Sequence, residues 1–444
     1  MVQALNSDFQ SSDVLPAAPS RDSASSVKVP LVLVLIALTM FLPEETSFHF
    51  GDLRMTICRV LLLLITPAIL FCFVRLTISG NYRFVWSDVL VPVTGLWMIV
   101  ALNETEGFDR SIVSSGILAL EFCIPYMTTR VFLTERGQAV ALVRILCIAI
   151  ATIGVLAIFD EFSRRNAVRA LVGSFTGYPQ ERVDYSIYMR GFLFRTESTL
   201  EHPILLGTAC MIGLLMATTM RGARRKFMLA GSALGLALSA SSAPVSGAVI
   251  GFCALLYNKL LRNFRFRWSF LFASAAGVIL FIFSAHPRPW GFIFAHVTFD
   301  EESGYYRLLQ WETVGPFVMN SPIFGMGLTD VGILAEAGLA PTIDANWLRM
   351  AMLFGIPGSI LTILSYITAC SGSMDIGNKG LNLTEQERRL GSVLSLILGL
   401  IIYIGFTVDY WGTVYILITF LAGIRAHLGA LGALPREPGL DGDG

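Results

Sequence analysis

Six arginines and no lysine stand between Asp160 and Leu200: Arg164, Arg165, Arg169, Arg182, Arg190 and Arg195. A guanidinium presents a planar fork of donors that grips phosphate oxygens two at a time, and it is less strongly hydrated than an ammonium. Such a set suits an anionic, phosphate-bearing group. The competing reading is that Asp160, Glu161, Glu181, Asp184 and Glu197 pair with these arginines as solvated surface charges, in a chain that uses Arg over Lys by 28 to four. Arg190 and Arg195 are favoured for binding, because they flank an apolar stretch beside a long hydrophobic run. Two further charges lie where charge is expensive: Glu121 in the middle of one apolar run and Arg144 early in the next. A buried ion pair between neighbouring helices is the simpler reading of that couple, and an ion-translocation site is the other. The seven cysteines (Cys58, Cys72, Cys123, Cys147, Cys210, Cys253, Cys370) fall inside or at the edge of apolar runs without CxxC or CxxxC spacing. They read as small packing residues, not as metal ligands or a disulfide framework.

The elements that must hold these residues are membrane spans. Charged residues make up only 14% of the chain, hydrophobic ones 54%, and the mean hydropathy is +0.66; a soluble domain carries about 25% charge. Apolar runs of bilayer-crossing length recur along the chain. They cover approximately 28–43, 57–78, 85–102, 111–133, 139–159, 201–220, 227–241, 243–258, 269–285, 347–370, 390–408 and 411–425. The expected fold is thus an all-α polytopic membrane protein of about twelve transmembrane helices. The seventh and eighth runs meet at Ser239-Ala-Ser-Ser-Ala-Pro244, as a tight hairpin or a re-entrant pair would. Residues 1–27, rich in Ser, Ala and Pro, read as a disordered cytoplasmic tail, with no basic region before the first run to suggest a signal peptide. Residues 28–425 form one membrane domain, and 426–444 form a second cytoplasmic tail. A net charge of zero gives no support to a nucleic-acid partner.

Orientation follows from charge. All four lysines (Lys28, Lys226, Lys259, Lys379) and the acid-free cluster Arg221-Gly-Ala-Arg-Arg-Lys226 fall on one side if the runs alternate. The positive-inside bias makes that side cytoplasmic, with both termini inside and the bacterial inner membrane as the expected location. The other side receives two loops too long for mere connections, about 160–200 and 286–346, which are therefore periplasmic and expected to be functional. The six arginines lie in the first of them, on the side where the charge bias disfavours them.

Three segments resemble the bacterial O-antigen ligase and polymerase superfamily. Arg195-Thr-Glu-Ser-Thr-Leu-Glu-His-Pro-Ile204 leads into a run as that family's Arg-to-His-Pro segment does. Tyr305-Tyr-Arg-Leu-Leu-Gln-Trp311, ahead of Ser321-Pro-Ile-Phe-Gly-Met-Gly327, is similar to the family's second long outer loop, where an Arg on a short helix precedes a Pro-Phe-Gly turn. Thr342-Ile-Asp-Ala-Asn-Trp-Leu348 then opens a run that ends in Phe354-Gly-Ile-Pro-Gly358. Order, spacing and membrane side agree over most of residues 28–425.

The resemblance implies glycosyl transfer at the periplasmic face with an undecaprenyl-diphosphate-linked glycan as donor, by an inverting enzyme without metal or other cofactor. The outer loops hold no DxD and no His/Cys cluster. In that chemistry Arg195 and Arg307 are expected to clamp the diphosphate, each contributing about 3 kcal/mol, the scale of one preorganised donor. Asp344 is placed for the general base that takes the acceptor hydroxyl's proton; as an acid before a helix it could instead be an N-cap. Arg190, Glu197, His202, Trp311 and Trp347 complete the expected substrate-binding set. His202 could equally cap or pack, the two tryptophans could be interfacial belt residues, and Gly325 and Gly327 read as turn residues. Ligases of the family carry a His-Asn pair where this chain has Asp344-Ala345-Asn346, and the family's Ser-Arg-Gly turn is replaced by Ser241-Ser-Ala-Pro244. The expectation is therefore an exopolysaccharide or O-antigen polymerase, closest to the exopolysaccharide polymerases. A ligase to lipid A core is the alternative, and a twelve-span secondary transporter the alternative of another class. A flippase and a chain-length regulator are the protein partners such a polymerase would have.

Overall fold

The computed structural model describes residues 27–50, 53–178, 185–264, 266–287, 301–328, 342–372 and 383–432. The expected N-terminal tail, apart from Val27, lies outside the described residues, as do Arg182 and much of 286–346. The chain folds as a multi-pass bundle of apolar helices. In order these are α1 (Leu31–Thr39), α2 (Ile57–Ile78), α3 (Ser87–Glu106), α4 (Phe108–Phe132), α5 (Gln138–Ser163), α6 (Ala167–Thr176) and the single turn α7 (Tyr185–Tyr188). There follow α8 (Pro203–Ala217), α9 (Arg225–Leu238), α10 (Ser242–Leu260), α11 (Arg267–Ala285), α12 (Glu301–Asn320), α13 (Asn346–Ala369), α14 (Glu385–Ile404) and α15 (Gly412–Leu431). Two antiparallel hairpins interrupt the helices: β1 (Phe48–Phe50) with β2 (Leu53–Met55), and β3 (Met189–Arg190) with β4 (Leu193–Phe194).

A helix underlies each of the twelve apolar runs, but eight of the described helices are long and apolar enough to cross a bilayer. The other four fall short for visible reasons. α1, α8 and α9 have nine, 15 and 14 residues, below the roughly 20 needed. α14 is long enough but opens with Glu385, Glu387, Arg388 and Arg389. The C-terminal boundary also moves, because α15 continues to Leu431 instead of ending near 425. Membrane burial is graded as lipid exposure requires: α15 runs through the centre of the bundle, whereas α11 is exposed along its length.

The seventh and eighth runs, expected as a tight hairpin or a re-entrant pair, are α9 and α10, joined by the short turn 239–241. α9 packs chiefly on α5 and α8, and the reason is small residues. Gly231 and Gly235, four apart on α9, lie against Ala151 and Gly154 of α5 so closely that a Cβ on any of the three glycines would strike the facing backbone. Without a hydrophobic force between helices in lipid, such close backbone approach supplies the attraction.

The proposed alternation of loops has a geometric counterpart. The connections expected inside meet at one end: the backbone N–H of Gly137 donates to Glu387 (3.0 Å), Gln138 to the Lys28 carbonyl (3.1 Å) and Gln386 to the Thr219 carbonyl (3.4 Å). Those expected outside meet at the other, where Arg169 donates to Glu45 (2.7 Å), Trp311 to the Phe406 carbonyl (3.1 Å) and the N–H of Leu328 to Glu106 (2.6 Å). In a strain with the native cysteines removed, Ser174→Cys should react with a membrane-impermeant thiol reagent added to spheroplasts. Ala223→Cys should react only after permeabilisation; the reverse pattern would overturn the assignment of sides.

α13 is broken at Gly355, which has φ 73° and ψ 174°, a region essentially closed to other residues. The break frees backbone groups that lipid could not satisfy, and the Ser321–Gly327 turn takes them up. Met326 N–H donates to the Met352 carbonyl (2.6 Å) and Ile356 N–H to the Pro322 carbonyl (2.8 Å), while Trp97 Nε1 on α3 donates to the Phe354 carbonyl (2.8 Å). The Pro-Phe-Gly turn is thus the backbone partner of the broken helix. A Cβ on Gly355 would run into the Ile323 carbonyl, so Gly355→Ala should destabilise the fold by about 1–3 kcal/mol, read as a lowered midpoint of thermal unfolding in detergent.

Candidate functional site

The segment from Phe194 to His202 enters the bundle with its backbone tied to its surroundings at several points. Phe194 N–H donates to Glu161 (2.9 Å), Arg195 N–H to the Tyr188 carbonyl (2.7 Å), Thr196 N–H to the Leu238 carbonyl (3.1 Å) and Ser198 N–H to Asp160 (2.7 Å). Asp160, fully buried at the end of α5, also accepts from Val168 N–H (3.2 Å), so one carboxylate anchors both limbs of the loop.

The six arginines divide. Arg169 donates to Glu45 (2.7 Å) and Glu197 (2.8 Å) and pairs with Glu44, tying the loop to the α1–α2 connection. Arg164 is half-exposed and bonds Glu161 (3.0 Å) and the Phe192 carbonyl (2.9 Å). For these two the surface or structural pairing holds. Arg190 donates to the carbonyl of Ala240 (3.1 Å) in the α9–α10 turn. Arg195 differs from these three. It is 7% exposed, its Nε has no hydrogen-bond partner, and no carboxylate forms an ion pair with it among the described residues. Burial, followed by the repulsion of Arg190, lowers its pKa to about 10.

Arg195 and Arg307, a hundred residues apart in sequence, come together at Asp344. Arg307 is 4% exposed on α12. Burial raises the Asp344 carboxyl above the usual range, and the charges of Arg307 and then Arg195 draw it back; Arg307 in turn acts on Arg195. Asp344 does not cap α13: that position is Ala345, with no side-chain cap, and the Asp344 N–H donates to Gln310 of α12 (3.1 Å). The carboxylate itself lines a cavity of about 560 Å³, together with His202, Arg349, Asp409 and Trp411.

His202 both caps and faces the cavity. Its Nδ1 accepts from Ile204 N–H (3.1 Å) as the N-cap of α8, which places the ring proton on Nε2. Burial and then the charge of Arg195 lower its pKa to about 4, so it is a neutral donor at neutral pH.

Three expected substrate-binding residues are employed otherwise. Both oxygens of Glu197 are engaged, Oε2 by Arg169 and by Asn166 (2.9 Å) and Oε1 by the Tyr188 hydroxyl, so it builds the loop. Burial, against the pull of Arg169, raises its pKa to about 7. Trp347 is buried in the core with Nε1 donating to the Ile402 carbonyl (2.8 Å), and is neither belt nor sugar platform. Trp311 stacks on Phe406 at 6.2 Å between ring centres. The proposed Glu121–Arg144 couple is also corrected. Glu121 pairs with Arg59 of α2 (2.6 Å), and Arg144 is exposed on α5. Gly327 does more than turn, since a side chain there would collide with Thr105 and Glu106.

Residues missed in the sequence complete the site. Asp409, between α14 and α15, is 7% exposed and pairs with Arg349 of α13 (2.5 Å); burial, against the pull of Arg349, raises its pKa to about 6. Its signal was a lone carboxylate in Val408-Asp-Tyr-Trp411 between two apolar runs, and that of Arg349 a cation one turn into a span. Among the described residues, six buried polar atoms without a hydrogen-bond partner lie at this end of the bundle, Arg195 Nε, Thr196 Oγ1, Thr199 Oγ1, Glu201 Oε2, Asn346 Oδ1 and Asp409 Oδ1, besides others such as Tyr82 Oη, Ser232 Oγ and His427 Nε2 elsewhere. Leaving such atoms unsatisfied costs about 1–3 kcal/mol each, a cost that a polar ligand offsets. No three His, Cys, Asp or Glu side chains among the described residues converge as a metal-binding group.

Comparison with protein-family models and with curated proteins finds no match. The likeness to the O-antigen ligase and polymerase superfamily rests on the motifs quoted above.

Proposed function

We propose that the chain is a glycosyltransferase of the O-antigen ligase and polymerase type, which polymerises undecaprenyl-diphosphate-linked repeat units at the periplasmic face of the inner membrane. The observation that carries the reading is Arg195. A buried cation that forms no ion pair among the described residues costs several kcal/mol, and an anionic ligand held with Arg307 recovers that cost. In the reaction an acceptor hydroxyl oxygen attacks the anomeric carbon of the donor from the side opposite the diphosphate. Its proton passes to Asp344, the bond from that carbon to the phosphate oxygen breaks, and the lipid diphosphate leaves with its added charge on the two arginines. Neutral His202 supplies a donor at the cavity wall without competing for the proton.

The test is a purified protein given lipid-diphosphate-linked repeat units. Chains should lengthen in the presence of EDTA, without ATP and without an ion gradient. Dependence on a gradient would favour the transporter instead, and abolition by chelation would remove the arginine-only clamp. Attachment to lipid A core in place of elongation would make the chain a ligase.

A further inference from the structure

A second cavity, of about 290 Å³, adjoins the first and shares with it Arg349, Leu353 and Trp411. Its charge is balanced. Arg54, Arg59 and Arg349 line it with Glu44, Glu121 and Glu201, in the company of aromatic and aliphatic side chains. That balance disfavours both a free anion and a free cation as occupant. Hydrogen-bond donors are lacking in two places, one at Glu201 in this cavity and one at Asp409 in the first. Glu201 Oε2 is buried without a partner, while its Oε1 sits against Gly412, whose φ of 52° keeps that position small. Asp409 Oδ1 is likewise buried and unpartnered, its other oxygen being held by Arg349. Both carboxylates flank the partition, and the half-buried ring of Trp411 forms part of it, 5.7 Å from the ring of His202.

A neutral molecule rich in hydroxyl groups meets every condition: it donates to carboxylate oxygens, brings no charge into a balanced cavity, and presents apolar ring faces to an aromatic side chain. From this geometry we infer that the second cavity is the acceptor-glycan subsite, where sugar hydroxyls donate to Glu201 Oε2 beside Trp411 and, where the glycan passes into the first cavity, to Asp409 Oδ1. The inference rests on the glycosyl-transfer reading and divides its labour. Arg195 and Arg307, whose charges act on Asp344, hold the donor's diphosphate, and the unpartnered carboxylate oxygens on either side of Trp411 hold the acceptor's hydroxyls. The partition then delivers one acceptor hydroxyl to Asp344, which lines the first cavity.

The experiment uses the full chain in nanodiscs and the oligosaccharide released by mild acid from the host's lipid-linked pool, as free acceptor and as a binding probe. Glu201→Gln keeps the shape but turns one acceptor oxygen into a donor. It should raise the acceptor KM tenfold or more and weaken probe binding equally, with the donor KM within twofold of wild type. Trp411→Leu should do the same, and Trp411→Phe should recover most of the loss. Should Asp409→Asn release Arg349 and unfold the protein, the Glu201 and Trp411 variants decide the matter. Transfer by wild type with an unchanged acceptor KM in Glu201→Gln overturns the subsite alone. Wild type that binds the probe through Glu201 yet transfers nothing keeps the subsite and removes the enzyme. Stabilisation by Na⁺ or Mg²⁺, lost in Glu201→Gln and without probe binding, makes the cavity a cation site and overturns the inference.

Discussion

Arg195→Lys and Arg307→Lys should each lower repeat-unit transfer by about a hundredfold, the scale of one preorganised donor or roughly 3 kcal/mol, although both keep the positive charge. Lysine cannot reproduce the two-pronged fork, and its compact ammonium is harder to desolvate in a site where both side chains are buried. Because the two act on one leaving group, the double variant should be little worse than either single one. Arg164→Lys is the control. Its guanidinium is half-exposed and bonds only Glu161 and a loop carbonyl among the described residues, so transfer should stay within twofold. A second readout separates function from packing: Arg195→Met should abolish transfer yet raise the midpoint of unfolding without donor, by removing a buried charge that forms no ion pair among the described residues. The measurements are the chain-length distribution from complemented deletion cells and thermal unfolding of the purified variants. Wild-type chain lengths in both lysine variants would return these arginines to a structural role.

Asp344→Asn should lower kcat by about 10²–10⁴-fold, the usual contribution of a general base, and should change the pH profile with it. A base must be deprotonated to act, so the wild-type rate should fall as pH falls through the pKa of Asp344. Burial raises that pKa above the ordinary value near 3.9, with Arg307 and Arg195 opposing the rise. Bound diphosphate compensates the arginine charges, so the acid limb of kcat, which reports the complex, should lie at higher pH than that of kcat/KM, which reports the free enzyme. In Asp344→Asn the residual rate should lose the limb. If the limb persists unchanged, the base is another group, and Asp409, whose pKa is raised to about 6 in the same cavity, is the first to examine.

How much of this was legible in the sequence depended on the kind of signal. Hydropathy marks helices well, because lipid demands long apolar runs, and each run contains a helix. It does not say which helices cross: α1 starts after Pro30 and α9 stops at Ser239, both well short of a bilayer's thickness. Hydropathy also hides which face of a helix meets which neighbour. Glu121 therefore seemed to belong with Arg144 on the adjoining run, when α2 supplies Arg59 from 62 positions away. The convergence of Arg195 and Arg307 on Asp344 was legible only through motif order and membrane side, since nothing local links the three. Trp347 misled because an aromatic residue at the start of a span usually marks the interface, whereas the Gly405 turn presses that ring into the core. Arg349 escapes notice because a cation near a span end is explained by snorkelling, and Asp409 because a lone carboxylate between two apolar runs carries no motif.

If the buried arginines at Asp344 hold a lipid diphosphate, the purified protein in nanodiscs should bind undecaprenyl diphosphate that carries no sugar. Wild type and Arg164→Lys should bind it alike, Arg195→Lys and Arg307→Lys at least tenfold more weakly, and undecaprenyl monophosphate should compete poorly. Equal binding by wild type and Arg195→Lys, or none by wild type, would contradict the account.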